Sequence, residues 1–215
     1  MNVAPPDSGI HQLLEAMRDP LPTRYAPLVG LVIGAIAGLV YWFAAQLWPS
    51  SIAVALSMLV STLLTNDLRI AFSTRLDLVT QFFYLLLKYN ALMALSAAKL
   101  PFPAPPNFAL ALIMLCGYAA SRALLVSLMA SVPQRLPRVS HLDLVLALLI
   151  GLSPAVLLAV PGLVGLAIAI VSSIAVGSYL KLHPPGSGAL IVALAPSLAE
   201  ICFYLGAQAS WSYVN

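Results

Sequence analysis

The feature that most constrains the fold is a series of long apolar segments, separated by short turns that contain proline or charge. These segments run near residues 27–48, 50–65, 78–98, 107–132, 143–160, 161–180 and 189–208. A helix needs about 20 apolar residues to cross the hydrocarbon core of a bilayer. Several turns, such as "WPSS", "VPQRLPR" and "VPG", contain proline, which cannot donate to a helical hydrogen-bond ladder. The pattern predicts an all-α protein, a polytopic transmembrane helical bundle of about seven spans.

Composition excludes an ordinary water-soluble domain. Of the 215 residues 61% are hydrophobic and only 8% are charged, whereas a soluble domain carries about 25% charged residues. The net charge of +3 is small and comes from loops beside apolar segments, so it indicates topology and no nucleic-acid partner. Cys116 and Cys202 lie in apolar segments, and no two histidines share metal-ligand spacing. We therefore predict no zinc site.

Basic residues predict the orientation of the chain in the membrane. Short cytoplasmic loops carry an excess of lysine and arginine. If the N-terminus is cytoplasmic, the inner segments hold Arg18, Arg24, Arg69, Arg75, Arg135, Arg138 and Lys181. The outer loops then hold only Lys99. We therefore expect a cytoplasmic N-terminus and, with about seven spans, a C-terminus on the other side.

The domain organisation follows from the same pattern. Residues 1–26 are predicted to be a cytoplasmic N-terminal tail, in which acidic residues interrupt any secretory signal. Within it "HQLLEAMRDPLP" is compatible with a short amphipathic helix that stops at its prolines. Residues 27–215 are predicted to form a single transmembrane domain, because neither an internal repeat nor a separable soluble segment is found.

Three glycines mark one face of the first predicted span. Gly30, Gly34 and Gly38 recur every four residues, so they share a helix face. Small residues at this spacing let the backbone of another helix approach closely. We interpret these glycines as helix-packing residues, and they carry no chemistry of their own.

Three charged residues fall near the middle of predicted spans: Lys88, Arg122 and Glu200. An unpaired charge at the centre of a bilayer costs about 2.5–3.5 kcal/mol on insertion scales. Two interpretations remain open. Glu200 pairs with Lys88 or with Arg122 and neutralises the cost, or Lys88 and Arg122 face a water-filled cavity that receives phosphate groups.

Several stretches resemble one family of membrane enzymes. "RYAPLVGLVIGAIAGLVYW" and "SSIAVALSMLVSTLLT" resemble the N-terminal half of the cobalamin synthases, or adenosylcobinamide-GDP ribazoletransferases, which join a nucleotide-activated cobinamide to α-ribazole or its phosphate. "LLKYNALMAL", "SRALLVSLMA" and "LAEICFYLGAQ" fit the same family in the same order. Lys88, Arg122 and Glu200 fall where that family also carries charge. The resemblance implies an integral protein of the bacterial inner (cytoplasmic) membrane.

The chain departs from this family where the family's magnesium chemistry lies. Cobalamin synthases carry an acidic stretch of the form D-G-x-x-D-x-x-D-G after the second apolar segment. Here "LLT" runs directly into "NDLRI", so Asp67 and Arg69 resemble remnants of the family's later K-D-S-R-x-G element. The motif G-G-x-T-G-D before the last helix is replaced by "LHPPGSGAL", which has no acid. Asp67 and Asp77 are the remaining candidates for holding magnesium, which needs protein carboxylates.

Three functions follow from these residues. The leading hypothesis is a pseudoenzyme, a structural or accessory membrane subunit without a cofactor, which offers its apolar flanks and glycine face to another membrane protein or to a homo-oligomer, with membrane lipids around it. The alternative is an active transferase, with Asp67, Arg69 and Asp77 as catalytic candidates, magnesium as cofactor, and Lys88 and Arg122 on the phosphates of corrinoid and nucleotide substrates. The third is a small-solute transporter, which the odd span number and the missing inverted repeat disfavour.

Overall fold

The computed structural model describes residues 25–65, 78–98, 103–105, 107–131, 139–182 and 188–214, and this part of the chain contains helices and no strand. The helices are α1 (Ala26–Leu47), α2 (Ser50–Thr65), α3 (Leu78–Leu95), α4 (Phe108–Ser131), α5 (His141–Leu152), a 3-10 helix (Ser153–Leu158), α6 (Ala159–Leu182) and α7 (Gly188–Val214).

The helices have the length and apolar character of a membrane bundle. Three helical stretches of the described chain are long and apolar enough to cross a bilayer, namely residues 26–47, 108–131 and 141–182, the last of which includes the 3-10 helix and a break at Ala159. Helix α2 (residues 50–65) and residues 82–95 of α3 are apolar but shorter. The predicted fold class, an all-α polytopic helical bundle, is confirmed. The number of about seven spans and the cytoplasmic N-terminus stay predictions.

Helix α4 forms the centre of the bundle. Every residue from Ala109 to Met114 is buried, so all sides of this helix are covered. A helix that is apolar all round belongs inside a protein. It packs against α1, α5, α6 and α7. The main apolar core consequently runs along α4.

The glycine face of α1 lies against α4. A Cβ atom at Gly30 would be 2.5 Å from the carbonyl oxygen of Tyr118, and one at Gly34 would be 2.7 Å from Cα of Leu115. Gly38 meets the carbonyl oxygen of Ala111 in the same way, at 2.8 Å. Rising numbers on α1 meet falling numbers on α4, so the two helices are antiparallel. The hypothesis that this face is offered to a partner protein is wrong, because α4 of the same chain already covers it.

The chain reverses before α6 begins. Ala159 has a φ of 53°, outside the helical region, and the Cβ position of Gly162 contacts the carbonyl oxygen of Ala155. In a continuous helix residues seven apart are separated by about 10 Å along the axis, so this contact shows that the chain folds back. The sequence placed this boundary at Val160–Gly162. These residues instead lie inside α6, because proline is tolerated in the first turn of a helix, where its missing N–H has no partner to lose.

The predicted N-terminal tail lies almost wholly outside the described residues. The single transmembrane domain over residues 27–215 stays a prediction.

Candidate functional site

A buried charged cluster lies where α3, α4 and α7 meet. The Lys88 ammonium of α3 lies 2.8 Å from Glu200 Oε1 of α7, and both side chains are almost fully buried, at 3% and 4% exposure. Lys88 Nζ also donates to the Tyr118 hydroxyl of α4 at 2.7 Å. The Tyr204 hydroxyl donates to Glu200 Oε1 at 2.8 Å. Of the two cations that the sequence offered to Glu200, the structure pairs Lys88.

Local sequence explains how these side chains come together. On α3, Lys88 shares its face with Ala91, Leu92 and Leu95, which are all buried, as the 3.6-residue period requires. On α7, Glu200 and Tyr204 are four residues apart and so lie one above the other.

A glycine on α4 makes room for the tyrosine of this cluster. A Cβ atom at Gly117 would lie 2.5 Å from Cε1 of Tyr204, so the ring reaches the carboxylate only because this position has no side chain. Gly117 precedes Tyr118 in the sequence, and α4 therefore supplies both the space for one tyrosine and the hydroxyl of the other.

The space beside the buried cluster is narrow. The gap beside it is too small for a water molecule. It is lined by Ala37, Ser57, Met58, Ser61, Lys88, Leu92, Met114, Tyr118 and Tyr204. The two serine hydroxyls donate to carbonyl oxygens of their own helix, at 2.8 and 2.9 Å. The expected water-filled cavity at Lys88 is therefore absent from this part of the structure, and the ammonium is engaged by protein groups instead.

Arg122 is separate from this cluster. Its Cγ lies 2.9 Å from the Cβ position of Gly30, so its stem runs along the start of α1. The side chain is partly exposed, while its buried Nε atom has no hydrogen-bond partner among the described residues. The structure thus brings Lys88 and Glu200 together and leaves Arg122 outside the pair.

The acidic side chains of the described residues do not form a metal site. Asp67, Arg69 and Asp77 lie outside the described residues. Within the described residues the acidic side chains are Asp143 and Glu200, and no group of three potential ligands occurs there. Asp143 lies in the first turn of α5, where its backbone N–H donates to the Ser140 hydroxyl, and Glu200 is held by Lys88. This donor set does not fit a magnesium site.

The sequence did not single out Tyr118 and Tyr204. Tyrosines inside apolar segments read as core residues, and both are indeed buried. One signal was available: Tyr204 follows Glu200 by four residues, which places a hydroxyl on the same helix face as the only embedded carboxylate. No comparable signal marks Tyr118.

Comparisons with known proteins agree with the resemblance over the N-terminal part of the chain. Residues 11–69 match the family model described as cobalamin-5-phosphate synthase. The chain is 55% identical over 43 residues to an adenosylcobinamide-GDP ribazoletransferase of Leptothrix cholodnii and 54% identical over 44 residues to one of Shewanella denitrificans. A Vibrio cholerae protein of the same name is 55% identical over 43 residues.

These matches cover a limited part of each protein. They span 20% of this chain and 16% or 17% of the relatives. The later stretches that carry Lys88, Arg122 and Glu200 lie outside the region that the family model matches. No solved structure matches the chain.

Proposed function

From the kinship of the chain's N-terminal region with the cobalamin synthases, we propose that this protein is a family-related pseudoenzyme of the bacterial inner membrane. It keeps the helical scaffold, lacks the magnesium-dependent transfer, and serves as a structural or accessory subunit in cobalamin biosynthesis. The single observation that carries the proposal is the state of Lys88. The embedded lysine that would contact phosphate is already engaged by Glu200 and Tyr118.

A phosphate-binding lysine must present its ammonium to a space that the anion can enter. Lys88 is 3% exposed, and the adjoining gap does not admit even water. To bind phosphate it would have to leave Glu200, whose carboxylate would then stay buried and uncompensated. Breaking one side of a buried ion pair costs about 3–5 kcal/mol. The cluster is therefore better suited to holding α3, α4 and α7 together than to receiving a substrate.

The acids support the same proposal. Pyrophosphate chemistry with magnesium needs one or two protein carboxylates together with water and substrate. The chain has seven acidic residues in all, and the stretch that carries the family's acidic cluster is absent from its sequence. Asp67 and Asp77 remain, ten positions apart. An accessory subunit would not need this site.

A second function, the active ribazoletransferase, is favoured by one observation. Arg122 is partly exposed and its Nε has no partner in the described part of the chain, so this atom near the start of α1 could donate to an anion. In this case Arg122 and Arg69 would contact phosphates, and Asp67 and Asp77 would hold magnesium.

One assay separates the two functions. Purified protein in lipid nanodiscs would be supplied with adenosylcobinamide-GDP, α-ribazole and Mg²⁺, with the Vibrio cholerae ribazoletransferase as a positive control. We expect no product above the protein-free background, because the acidic cluster is missing.

The opposite result has a clear signature. Turnover that is lost in Asp67→Ala but retained in Asp143→Ala would overturn the pseudoenzyme and establish the transferase. Asp143 is a matched control, since it is an acid at a helix start outside the candidate site. Purification in mild detergent gives a second readout: a stoichiometric protein partner supports the accessory role, and a bound corrinoid supports the enzyme.

A further inference from the structure

Helix α3 has two different faces. Lys88, Ala91, Leu92 and Leu95 point into the bundle, where α3 packs against α2 and α7. The opposite face is exposed. It consists of Phe82, Phe83, Leu86, Leu87, Asn90 and Ala94. All but one of these side chains suit contact with lipid, and the exception is the Asn90 carboxamide.

Asn90 lies close to the middle of the bilayer. Lys88 contacts Tyr118 and Glu200, and these two residues lie within two positions of the middle of α4 and α7. Asn90 follows Lys88 by two residues, a rise of about 3 Å. The carboxamide is therefore at a depth where no water is available to bond it.

The carboxamide is only partly satisfied by its own helix. Asn90 Nδ2 donates to the carbonyl oxygen of Leu86 at 2.8 Å. A carboxamide has two N–H groups and an acceptor oxygen, so one N–H and the oxygen have no partner among the described residues. Gln46, the other exposed carboxamide among the described side chains, lies at the last turn of α1, where headgroups and water reach it.

We propose that a second copy of this chain packs against the outer face of α3, with the two Asn90 carboxamides hydrogen-bonded to each other. A carboxamide is self-complementary, since each offers the N–H that the other accepts. A two-fold axis along the membrane normal places identical residues at the same depth. A different protein would need its own polar group at that depth on a lipid-facing helix.

The neighbours of Asn90 suit this packing. Ala94 lies one turn further along the same face and is small, which allows two α3 helices to approach closely. Leu87 and Phe83 lie one and two turns before Asn90, respectively, and supply apolar contact area. Interhelical hydrogen bonds of polar side chains stabilise such contacts in membranes. The inference does not depend on whether the chain retains transferase activity.

Cysteine cross-linking in native membranes tests the proposal. In a full-length chain whose Cys116 and Cys202 are replaced by alanine, Ala94→Cys leaves Asn90 in place. We expect it to form a disulfide-linked dimer on oxidation. Ala167→Cys is the matched control, because Ala167 is an equally small, exposed residue on the outer face of α6. It should stay monomeric.

A second measurement isolates the carboxamide. The dimer dissociation constant is measured by energy transfer between labelled copies as the protein is diluted into lipid. Asn90→Leu should raise this constant by roughly 3- to 30-fold. Asn90→Gln should largely restore the original value. Asn90 points outward, so these variants should remain monodisperse. A chain that stays monomeric at all lipid dilutions, equal cross-linking at residues 94 and 167, or cross-linking of residue 94 only to another protein would overturn the proposal.

Discussion

At the scale of the residue, two of the three charged side chains predicted to lie near the middle of spans form one ion pair. Lys88 and Glu200 are each nearly inaccessible, and one tyrosine hydroxyl forms a hydrogen bond with each of them. A buried ion pair contributes little net stability compared with apolar residues of the same volume, but removing one partner is strongly destabilising. We therefore expect the pair to specify that α3 and α7 become neighbours, more than to add net stability.

Removing the ammonium should show this asymmetry. Lys88→Met leaves the Glu200 carboxylate buried with the Tyr204 hydroxyl beside it, so we expect a loss of about 3–5 kcal/mol in stability. The measurement is the temperature at which half of the detergent-solubilised protein leaves the monodisperse peak in size-exclusion chromatography.

The double variant Lys88→Met with Glu200→Gln should recover most of this loss, because no charge then remains buried. Arg122→Met serves as the comparison, since Arg122 is partly exposed and outside the pair. An equal loss in Lys88→Met and Arg122→Met would contradict the assignment of Lys88 to a critical pair.

Sequence reasoning identified the three embedded charges but could not choose the partner of Glu200. Lys88 and Arg122 both fall near the middle of apolar segments, so hydropathy treats them alike. The choice depends on which helix lies beside α7, and that is a property of the packed bundle. The ligand candidates Asp67 and Asp77 stay predictions.

At the scale of the element, small residues determine how closely helices approach. The glycine face of α1, formed by Gly30, Gly34 and Gly38, lies against backbone atoms of α4. The four-residue spacing of these glycines predicted a packing face on one side of α1. A further close approach joins α6 to α7, where a Cβ atom at Gly206 would be 2.8 Å from Cα of Gly165. The glycines of α6 and α7 follow no four-residue repeat, so their spacing did not predict this second contact.

A single methyl group tests the α1–α4 contact. Gly34→Ala places Cβ at 2.7 Å from Cα of Leu115, and because a backbone atom cannot move aside alone, the helices must separate. We expect a loss of about 1–3 kcal/mol, measured by the same thermal assay. Gly177→Ala is the matched control, since the described residues place only a flexible leucine methyl, at 3.3 Å, near the Cβ position. Equal stability of the two variants would show that the contact is loose.

Helix boundaries were less predictable than helix faces. The apolar run that ends the chain was predicted to span 189–208, whereas α7 continues to Val214. The continuation includes Ser210, whose hydroxyl donates to the carbonyl oxygen of Ala207, and the buried Trp211. Hydropathy measures how much of a helix is apolar, and it does not detect a polar last turn that is stabilised by its own helix and by packing.

At the scale of the whole molecule, the charge distribution makes a prediction about orientation. The cytoplasmic segments are predicted to hold seven basic residues and the outer loops one. A phosphatase fused after Asn215 should therefore be active, and a green fluorescent protein fused at the same place should be dark. Fusions after Arg138 should give the reverse pattern. A fluorescent fusion after Asn215 would show that the C-terminus is cytoplasmic and, with a cytoplasmic N-terminus, that the number of spans is even.

The distance along the chain between contacting helices has a consequence for biogenesis. Lys88 leaves the ribosome long before Glu200, so α3 must meet the translocon with an ammonium whose counter-ion has not yet been synthesised. The glycine face of α1 likewise has no packing partner until α4 has been synthesised. A nascent chain released before α7 would hold an uncompensated cation in lipid. Membrane proteases that remove unassembled helices could recognise the incomplete chain by this unpaired charge.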